Sequence, residues 1–222
     1  MIEEILPPGV VSVEARGDLT DDLLEGGEGL FPEEEALVAN AVLPRQQEFA
    51  TGRICARRAL SRLGLPPRPL LRNGRGAPLW PAGVVGSMTH CHGYRAVAVA
   101  RNGSTVAIGI DAEPHGPLPE GVLEAISLPG ERRAVAALAR HSPGVAWDRL
   151  LFSAKEAVFK AWYPMTGAEL SFEEANIDIN PDDGTFTAQL LRPGPLVVSR
   201  PLTAFSGRWL TRAGLITTTI VL

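Results

Sequence analysis

The sequence predicts an α+β fold built from two similar halves, residues 1–107 and 108–222, and three observations lead to it. Two long stretches, Arg45 to Leu63 and Trp147 to Tyr163, carry apolar residues at helical spacing, and each precedes short alternating runs of the β type. The two helical stretches can be laid over each other: Phe49-Ala-Thr-Gly-Arg53-Ile-Cys-Ala-Arg57 sits on Phe152-Ser-Ala-Lys-Glu156-Ala-Val-Phe-Lys160. A length of 222 residues suffices for one large domain or two small ones. A duplicated arrangement of this kind would put a ligand site in the cleft between the halves.

The elements follow in order. Val10, Val11 and Val13 read as a strand, and Asp21 to Glu28 as an acidic loop. A helix is expected near 32–43, with Pro32 in its first turn and Glu33, Glu34 and Glu35 at the positive end of its dipole. In the helix from Arg45 to Leu63, Phe49, Ala56, Leu60 and Leu63 form the apolar stripe, and Gly64 with Pro66-Pro67 ends it. Arg72-Asn-Gly-Arg-Gly-Ala-Pro is a turn cluster. Strands are expected at 84–89, 94–100 and 105–110, with Arg101-Asn-Gly-Ser as a hairpin turn between the last two.

Residues 113–121, dense in Pro and Gly, read as loop, and 122–140 as helix. Asp148 starts the second long helix, whose apolar face is Leu151, Ala154, Val158 and Trp162, and Pro164 is expected to stop it. The remainder alternates: Phe186/Ala188/Leu190, then 203–211, an Arg212-Ala-Gly turn, and 215–222. Each half thus has a small, mostly antiparallel sheet beside a long helix.

Composition narrows the function. A net charge of −4 argues against a general nucleic-acid binder. Positive charge is almost all Arg, Lys occurring only at Lys155 and Lys160. Two cysteines, Cys55 and Cys91, make no disulfide framework and fit a reducing compartment. The acidic, proline-broken start lacks the regions of a signal peptide, and no apolar run approaches the ~20 residues of a membrane span. A cytoplasmic protein without a membrane partner is expected.

Four segments could carry chemistry. In Ile108-Gly-Ile-Asp111-Ala-Glu113 an apolar strand ends in two carboxylates on one face, which repel unless a cation lies between them; Mg²⁺ takes such oxygen ligands, and a solvated acidic turn is the other reading. In Phe152-Ser-Ala-Lys155-Glu156-Ala-Val-Phe-Lys160, Glu156 and Lys160 are one helical turn apart, as in a surface ion pair, but Phe152 and Phe159 flank them, and charge beside aromatic surface needs a partner. Gly86-Ser-Met-Thr89-His90-Cys91-His92 suggests either a phosphate contact at Thr89 and His90 or a histidine with no ligand; zinc would require a second Cys/His cluster. Arg45, Arg53, Arg57 and Arg58 offer guanidinium forks suited to phosphate, or simply a solvated helix face.

Together these segments resemble the surfactin-type 4'-phosphopantetheinyl transferases, especially their enterobactin-synthase branch. The blocks are Arg45-Gln-Gln-Glu-Phe-Ala-Thr-Gly-Arg53, Gly86-Ser-Met-Thr-His90-Cys, Ile108-Gly-Ile-Asp-Ala-Glu113 and Phe152-Ser-Ala-Lys-Glu-Ala-Val-Phe-Lys160, in the family's order across 45–160. Phe152 stands where the family's signature often opens with Trp. The resemblance implies a pseudo-two-fold fold with coenzyme A between the halves, phosphate-binding arginines in the first and metal-binding carboxylates in the second. It implies Asp111, Glu113 and Glu156 as ligands of Mg²⁺, with Mn²⁺ as an alternative, and Asp111 also beside the cofactor. It implies Arg45, Arg53, Thr89, His90, Lys155 and Lys160 as coenzyme A contacts, with Arg53 near the 3'-phosphate. Arg72 or Arg75 would reach the 3'-phosphate region, Arg72 being favoured.

The reaction so implied is attack of a carrier-protein serine on the β-phosphate of coenzyme A, releasing 3',5'-ADP, with Glu156 as base and Lys160 supplying positive charge. An apo acyl or peptidyl carrier protein is the expected partner, and a monomer the expected state. Arg132, Arg133 and Arg140 offer one basic patch for an acidic carrier. Two other classes bear comparison: a zinc-dependent hydrolase using His90, His92 and Asp111 with Glu156 as base, and a coenzyme A-binding module without catalysis.

Overall fold

The computed structural model describes residues 1–19 and 28–222. The acidic loop expected from Asp21 onward falls, apart from Glu28, outside them. In chain order the elements are β1 (Val11–Arg16), α1 (Pro32–Glu35), α2 (Leu43–Arg62), β2 (Val84–Cys91), β3 (Tyr94–Arg101), β4 (Ile108–Pro114), α3 (Val122–Ile126), α4 (Pro129–His141), α5 (Trp147–Thr166), β5 (Ala175–Asn180), β6 (Thr185–Leu190), β7 (Leu196–Val197), β8 (Arg200–Pro201), β9 (Ala204–Arg212) and β10 (Leu215–Val221).

Two antiparallel sheets carry the fold, in the orders β1-β3-β2 and β4-β10-β9-β6-β5, with β7 and β8 paired separately. Each long helix lies on one sheet. Cys55, Ala56, Ala59 and Leu60 of α2 pack on Val13, Val97 and Val99. Leu150, Leu151, Ala154, Ala157 and Val158 of α5 pack on Ile177, Phe186, Ile216 and Ile220. β3 is buried on both faces: its valines meet α2, while Ala96, Ala98 and Ala100 meet Ile108, Ile110 and Ala112 of β4. The period of two along a strand divides these side chains between the two cores.

The sheets meet at β2 and β4. These strands share no ladder, and β4 is an edge strand with amide groups to satisfy. Side chains do it instead: Ile110 N–H donates to Ser87 Oγ at 3.1 Å and Ala112 N–H to Thr89 Oγ1 at 3.1 Å. Ser87 and Thr89, two apart on β2, present their hydroxyls to one side, in step with alternate amides of β4.

Several expectations change. Arg101-Asn-Gly-Ser is not a hairpin between β3 and β4, because both edges of β3 are already filled by β1 and β2; the chain there crosses from one sheet to the other. The hairpin lies between β2 and β3, where Gly93 adopts φ 72°. The helix expected at 32–43 ends at Glu35, and Glu34 is turned inward, fully buried. Its carboxylate accepts from Arg57 at 2.7 Å, from Leu70 N–H at 2.8 Å and from Phe31 N–H at 3.0 Å. The helix expected over 122–140 divides into α3 and α4, because Leu128 before Pro129 is extended (φ −72°, ψ 153°). Pro164 does not stop α5, which runs to Thr166 and ends at left-handed Gly167; the helix forfeits the one bond to the Lys160 carbonyl and continues for two more residues. The strand β5 went unread, although Ile177 and Ile179 alternate with polar residues.

Gly109 lets β4 lie directly on the backbone of α5. A Cβ there would stand 1.9 Å from the Ala157 carbonyl oxygen and 2.9 Å from Ala161 N, which cannot rotate away. Gly109→Ala is expected to lower stability by about 3 kcal/mol or more in urea unfolding. Gly52→Ala, where the nearest atom is Met88 Cε at 3.7 Å in a helix, is expected to raise it by up to about 1 kcal/mol. Equal effects of the two would refute this account of the β4–α5 contact.

Candidate active site

A cleft of about 510 Å³ opens between α2, α5 and the strands β2 and β4. Helical spacing supplies its walls. Arg45, Phe49 and Arg53 recur every four residues on α2, and Phe152, Glu156, Phe159, Lys160 and Tyr163 share one face of α5. The loop 72–78 closes one end. Asn73 Nδ2 donates to Tyr163 Oη at 3.1 Å and Arg75 pairs with Glu169, so this loop reaches across to the second helix.

The α2 wall is cationic. Arg53 is 5% exposed, with its guanidinium 4.1 Å from the Phe49 ring centroid and Nη1 3.4 Å from Met88 Sδ. Its Nε is buried with no hydrogen-bond partner among the described residues, and Glu34 stands 4.0 Å away. Burial pushes its pKa down to about 10; Glu34 opposes this, and Arg72, Arg57 and Arg45 add to it. It remains charged at neutral pH, with a donor left over, in a site that favours an anion. Arg45 pairs with Glu48, also in the cleft. Arg72 makes one long bond, 3.4 Å, to the Leu37 carbonyl, whereas Arg75 is engaged by Glu169. Arg57 and Arg58 do not join this wall: Arg57 holds Glu34, and Arg58 donates to Glu28 at 2.6 Å.

His90 Nδ1 lies 3.4 Å from Glu48. The ring is half exposed, and its partial burial lowers its pKa to about 4, with Arg45, Lys160 and Arg95 acting the same way. His90 is thus neutral near pH 7 and can offer a hydrogen bond but not a charge. Arg95 and Glu48 escaped the sequence reading. Arg95 is buried, its Nε 2.9 Å from Asp18 and its Nη2 3.7 Å from Glu48. An arginine inside the apolar run Tyr94-Arg-Ala-Val-Ala-Val-Ala was the available signal.

The α5 side is acidic. Asp111 is 3% exposed; its Oδ1 accepts from Lys160 Nζ at 2.7 Å and from Thr89 Oγ1 at 3.2 Å, and its Oδ2 is buried with no partner among the described residues. Glu113 accepts from Arg149 at 2.9 Å. Burial raises the pKa of Glu113, and Asp111 adds to it while Arg149 opposes. Burial likewise raises Glu156; Lys160 opposes, and Asp111 and Glu113 add to the rise. Three carboxylates that feel one another, one with an orphaned oxygen, suit a hard divalent cation by donor chemistry. Among the described residues, however, no set of three or more His, Cys, Asp or Glu side chains is gathered into a metal-binding group.

Lys155 does not enter the cleft, contrary to expectation. It is 3% exposed, and its ammonium reaches Glu131 at 2.9 Å, the Phe172 carbonyl at 2.7 Å and the Ala175 carbonyl at 2.8 Å. Neighbouring residues on a helix point about 100° apart, so the side chain before Glu156 faces another flank. With three protons on three acceptors, Lys155 has no donor for a phosphate. It borders a second cavity of about 370 Å³, which shares Glu156, Phe159 and Glu169 with the cleft and is also lined by Leu170 and Phe172.

Comparison with known proteins places these residues in context. Residues 33–100 match a family model described as the 4'-phosphopantetheinyl transferase N-terminal domain, and residues 107–203 one described as the 4'-phosphopantetheinyl transferase superfamily. The chain is 59% identical to the 4'-phosphopantetheinyl transferase Svp of Streptomyces mobaraensis, over 99% of this chain and 88% of that protein. It is 45% identical to the 4'-phosphopantetheinyl transferase PptT of Mycobacterium tuberculosis, over 100% of this chain and 98% of that protein. Enterobactin synthase component D of Escherichia coli K12 is 36% identical over 57% of this chain and 59% of its own length.

Two expectations follow from the charges. Lys155→Met leaves Glu131 buried without its cation and is expected to cost about 3–5 kcal/mol in thermal unfolding, most of it recovered by adding Glu131→Gln; no recovery in the double variant would contradict the pairing. The pKa of His90 is lower folded than the usual 6.5, so its contribution to stability is complete above pH 6.5 and is lost as pH falls toward 4. NMR of the imidazole should therefore show a midpoint near 4, and one near 6.5 would overturn the assignment of a neutral ring.

Proposed function

We propose a reaction for this chain from one premise: it belongs to the 4'-phosphopantetheinyl transferase family and is an enzyme of that class. The reaction is transfer of the 4'-phosphopantetheine arm of coenzyme A to a serine hydroxyl of an apo acyl or peptidyl carrier protein, releasing 3',5'-ADP. One observation carries it: a single cleft sets Arg53, whose Nε has no hydrogen-bond partner among the described residues, opposite Glu156, Lys160 and the orphaned oxygen of Asp111. A ligand with phosphates at two separated places answers the arginine wall directly and the acidic wall through Lys160 and a divalent cation held by its carboxylates.

In this reading Arg53, with Arg45 and Arg72, receives the 3'-phosphate. His90 donates a hydrogen bond to the pyrophosphate, and Lys160 supplies fixed positive charge where charge builds on the leaving phosphate. Among the described residues Glu156 has no ion pair of its own within hydrogen-bond reach, and burial raises its pKa, so its ionised carboxylate suits the base that takes the serine proton, through an oxygen that the metal would not hold. The second cavity, lined by Phe159, Leu170 and Phe172, supports a place for the apolar part of the arm. Asp111, Glu113 and Glu156 would hold Mg²⁺, or Mn²⁺ in its place, which when bound neutralises the pyrophosphate.

The finer placement, a surfactin-type enzyme of the enterobactin-synthase branch, rests on the four sequence blocks and on the partial match to component D. The division into related halves at 107/108 is supported by a 20-residue helix on an antiparallel sheet in each. Both walls come from one chain, which supports a monomer. No helix among the described residues is long and apolar enough to cross a membrane, and two free cysteines support a cytoplasmic location. Family membership displaces the zinc hydrolase and the non-catalytic binding module.

Intact-mass spectrometry of apo carrier protein with enzyme, coenzyme A and Mg²⁺ should show a gain of ~340 Da that chelator abolishes. Glu156→Gln should lower kcat by roughly 10²–10⁴-fold. No gain with fatty-acid, polyketide or peptide carriers would overturn the reaction, and a fully active Glu156→Gln would remove Glu156 from the base role.

A further inference from the structure

Glu34 stands behind the arginine wall and is not one of the residues lining the cleft. It is fully buried, and donors fill both of its oxygens. Oε1 accepts from Leu70 N–H at 2.8 Å and from Arg57 Nη1 at 3.0 Å. Oε2 accepts from Arg57 Nη1 at 2.7 Å and from Phe31 N–H at 3.0 Å. Four bonds exhaust the acceptor sites of a carboxylate. None is left for Arg53, whose Nε lies 4.0 Å from Oε1. Arg53 is oriented instead by the Phe49 ring and Met88. What Glu34 gives Arg53 is charge at short range where water is scarce: it acts there as the anion, against the cations Arg72, Arg57 and Arg45.

We propose that Glu34 is a positioning residue for the reaction, acting through Arg53: its buried charge limits the pull of the α2 wall on the 3'-phosphate to a strength from which 3',5'-ADP can leave. The 3'-phosphate occurs in coenzyme A and in 3',5'-ADP alike. A stronger site would therefore hold product as firmly as substrate and add nothing to the chemical step. Glu34 and Arg57 form an ion pair, so the trio with Arg53 presents one positive charge to the cleft. Loss of Glu34 would leave two positive charges there, and loss of Arg57 would turn the carboxylate wholly against Arg53. A bound ligand leaves this arrangement in place, because Glu34 has no exposed surface for it to reach.

The proposal rests on the reading that Arg53 receives the 3'-phosphate, and Arg53→Met tests that reading separately. Calorimetry gives Kd for coenzyme A, for 3'-dephospho-coenzyme A and for 3',5'-ADP, without added metal. Arg53→Met should cut the preference for coenzyme A over its dephospho form by about ten-fold or more; a preference that survives there overturns the placing of the phosphate, and the proposal with it. Glu34→Gln should raise the preference roughly 3–30-fold, tighten 3',5'-ADP by the same factor and leave the dephospho form unchanged. Arg57→Met should lower the preference, and the double variant should return it to the wild-type value. Should Glu34→Gln not fold, the fall in Arg57→Met carries the test alone. A merely structural role would weaken all three ligands together in every variant. That outcome, or an unchanged preference in Glu34→Gln beside a loss in Arg53→Met, would overturn the proposal and leave the reading of Arg53 intact.

Discussion

The whole site depends on how two sheets that share no ladder are joined. An edge strand such as β4 has amide groups that water or another strand would normally satisfy. Here Ser87 and Thr89 satisfy two of them, and the apolar residues of β3 and β4 close over the remainder of the join. A full strand pairing would have made one continuous sheet and left the two helices on a common face. Hydroxyl bridging leaves them on separate sheets, facing across a gap. The floor of the cleft is therefore also the seam of the protein, and Gly109 lets α5 sit close enough to complete it.

Charge is segregated across that gap. Arginines collect on the α2 side and carboxylates on the α5 side, but each set is partly restrained from within. Glu34 holds Arg57 and stands near Arg53; Lys160 holds Asp111; Arg149 holds Glu113. Without these counter-charges the cleft would carry unpaired buried charge at a cost of several kcal/mol per ion. Among the described residues that line the cleft, the buried polar atoms left without a hydrogen-bond partner are the Nε of Arg53, the Nε of Arg95 and the Oδ2 of Asp111.

Much of this was legible in the sequence, for reasons that differ by element. The two long helices could be read because their apolar stripes are long and regular. The cleft residues on them followed from spacing, since residues four apart on a helix share a face. What depended on contacts between distant segments could not be read. The turn at 101–104 resembles a hairpin, but whether two strands pair depends on edges that other strands had already taken. Glu34 read as a helix-dipole residue because its partners, Arg57 and Leu70, lie 23 and 36 residues away. Lys155 and Lys160 looked equivalent in the motif; the tertiary partner of Lys155, Glu131, lies on another helix. Arg95 was hidden in a strand that otherwise reads as plain core.

That buried lysine has a consequence for precision. Its ammonium is tied to the side chain of one helix, to the Phe172 carbonyl in the turn before β5 and to the Ala175 carbonyl at the strand's start, so it works as a peg between α5 and its surroundings. A peg on a cylinder sets the angle at which the cylinder stops turning. The next residue along is Glu156, whose azimuth about the helix axis is set by that peg together with the apolar face of α5 on its sheet. An acid that must stay loosely partnered to be useful can in this way still be aimed.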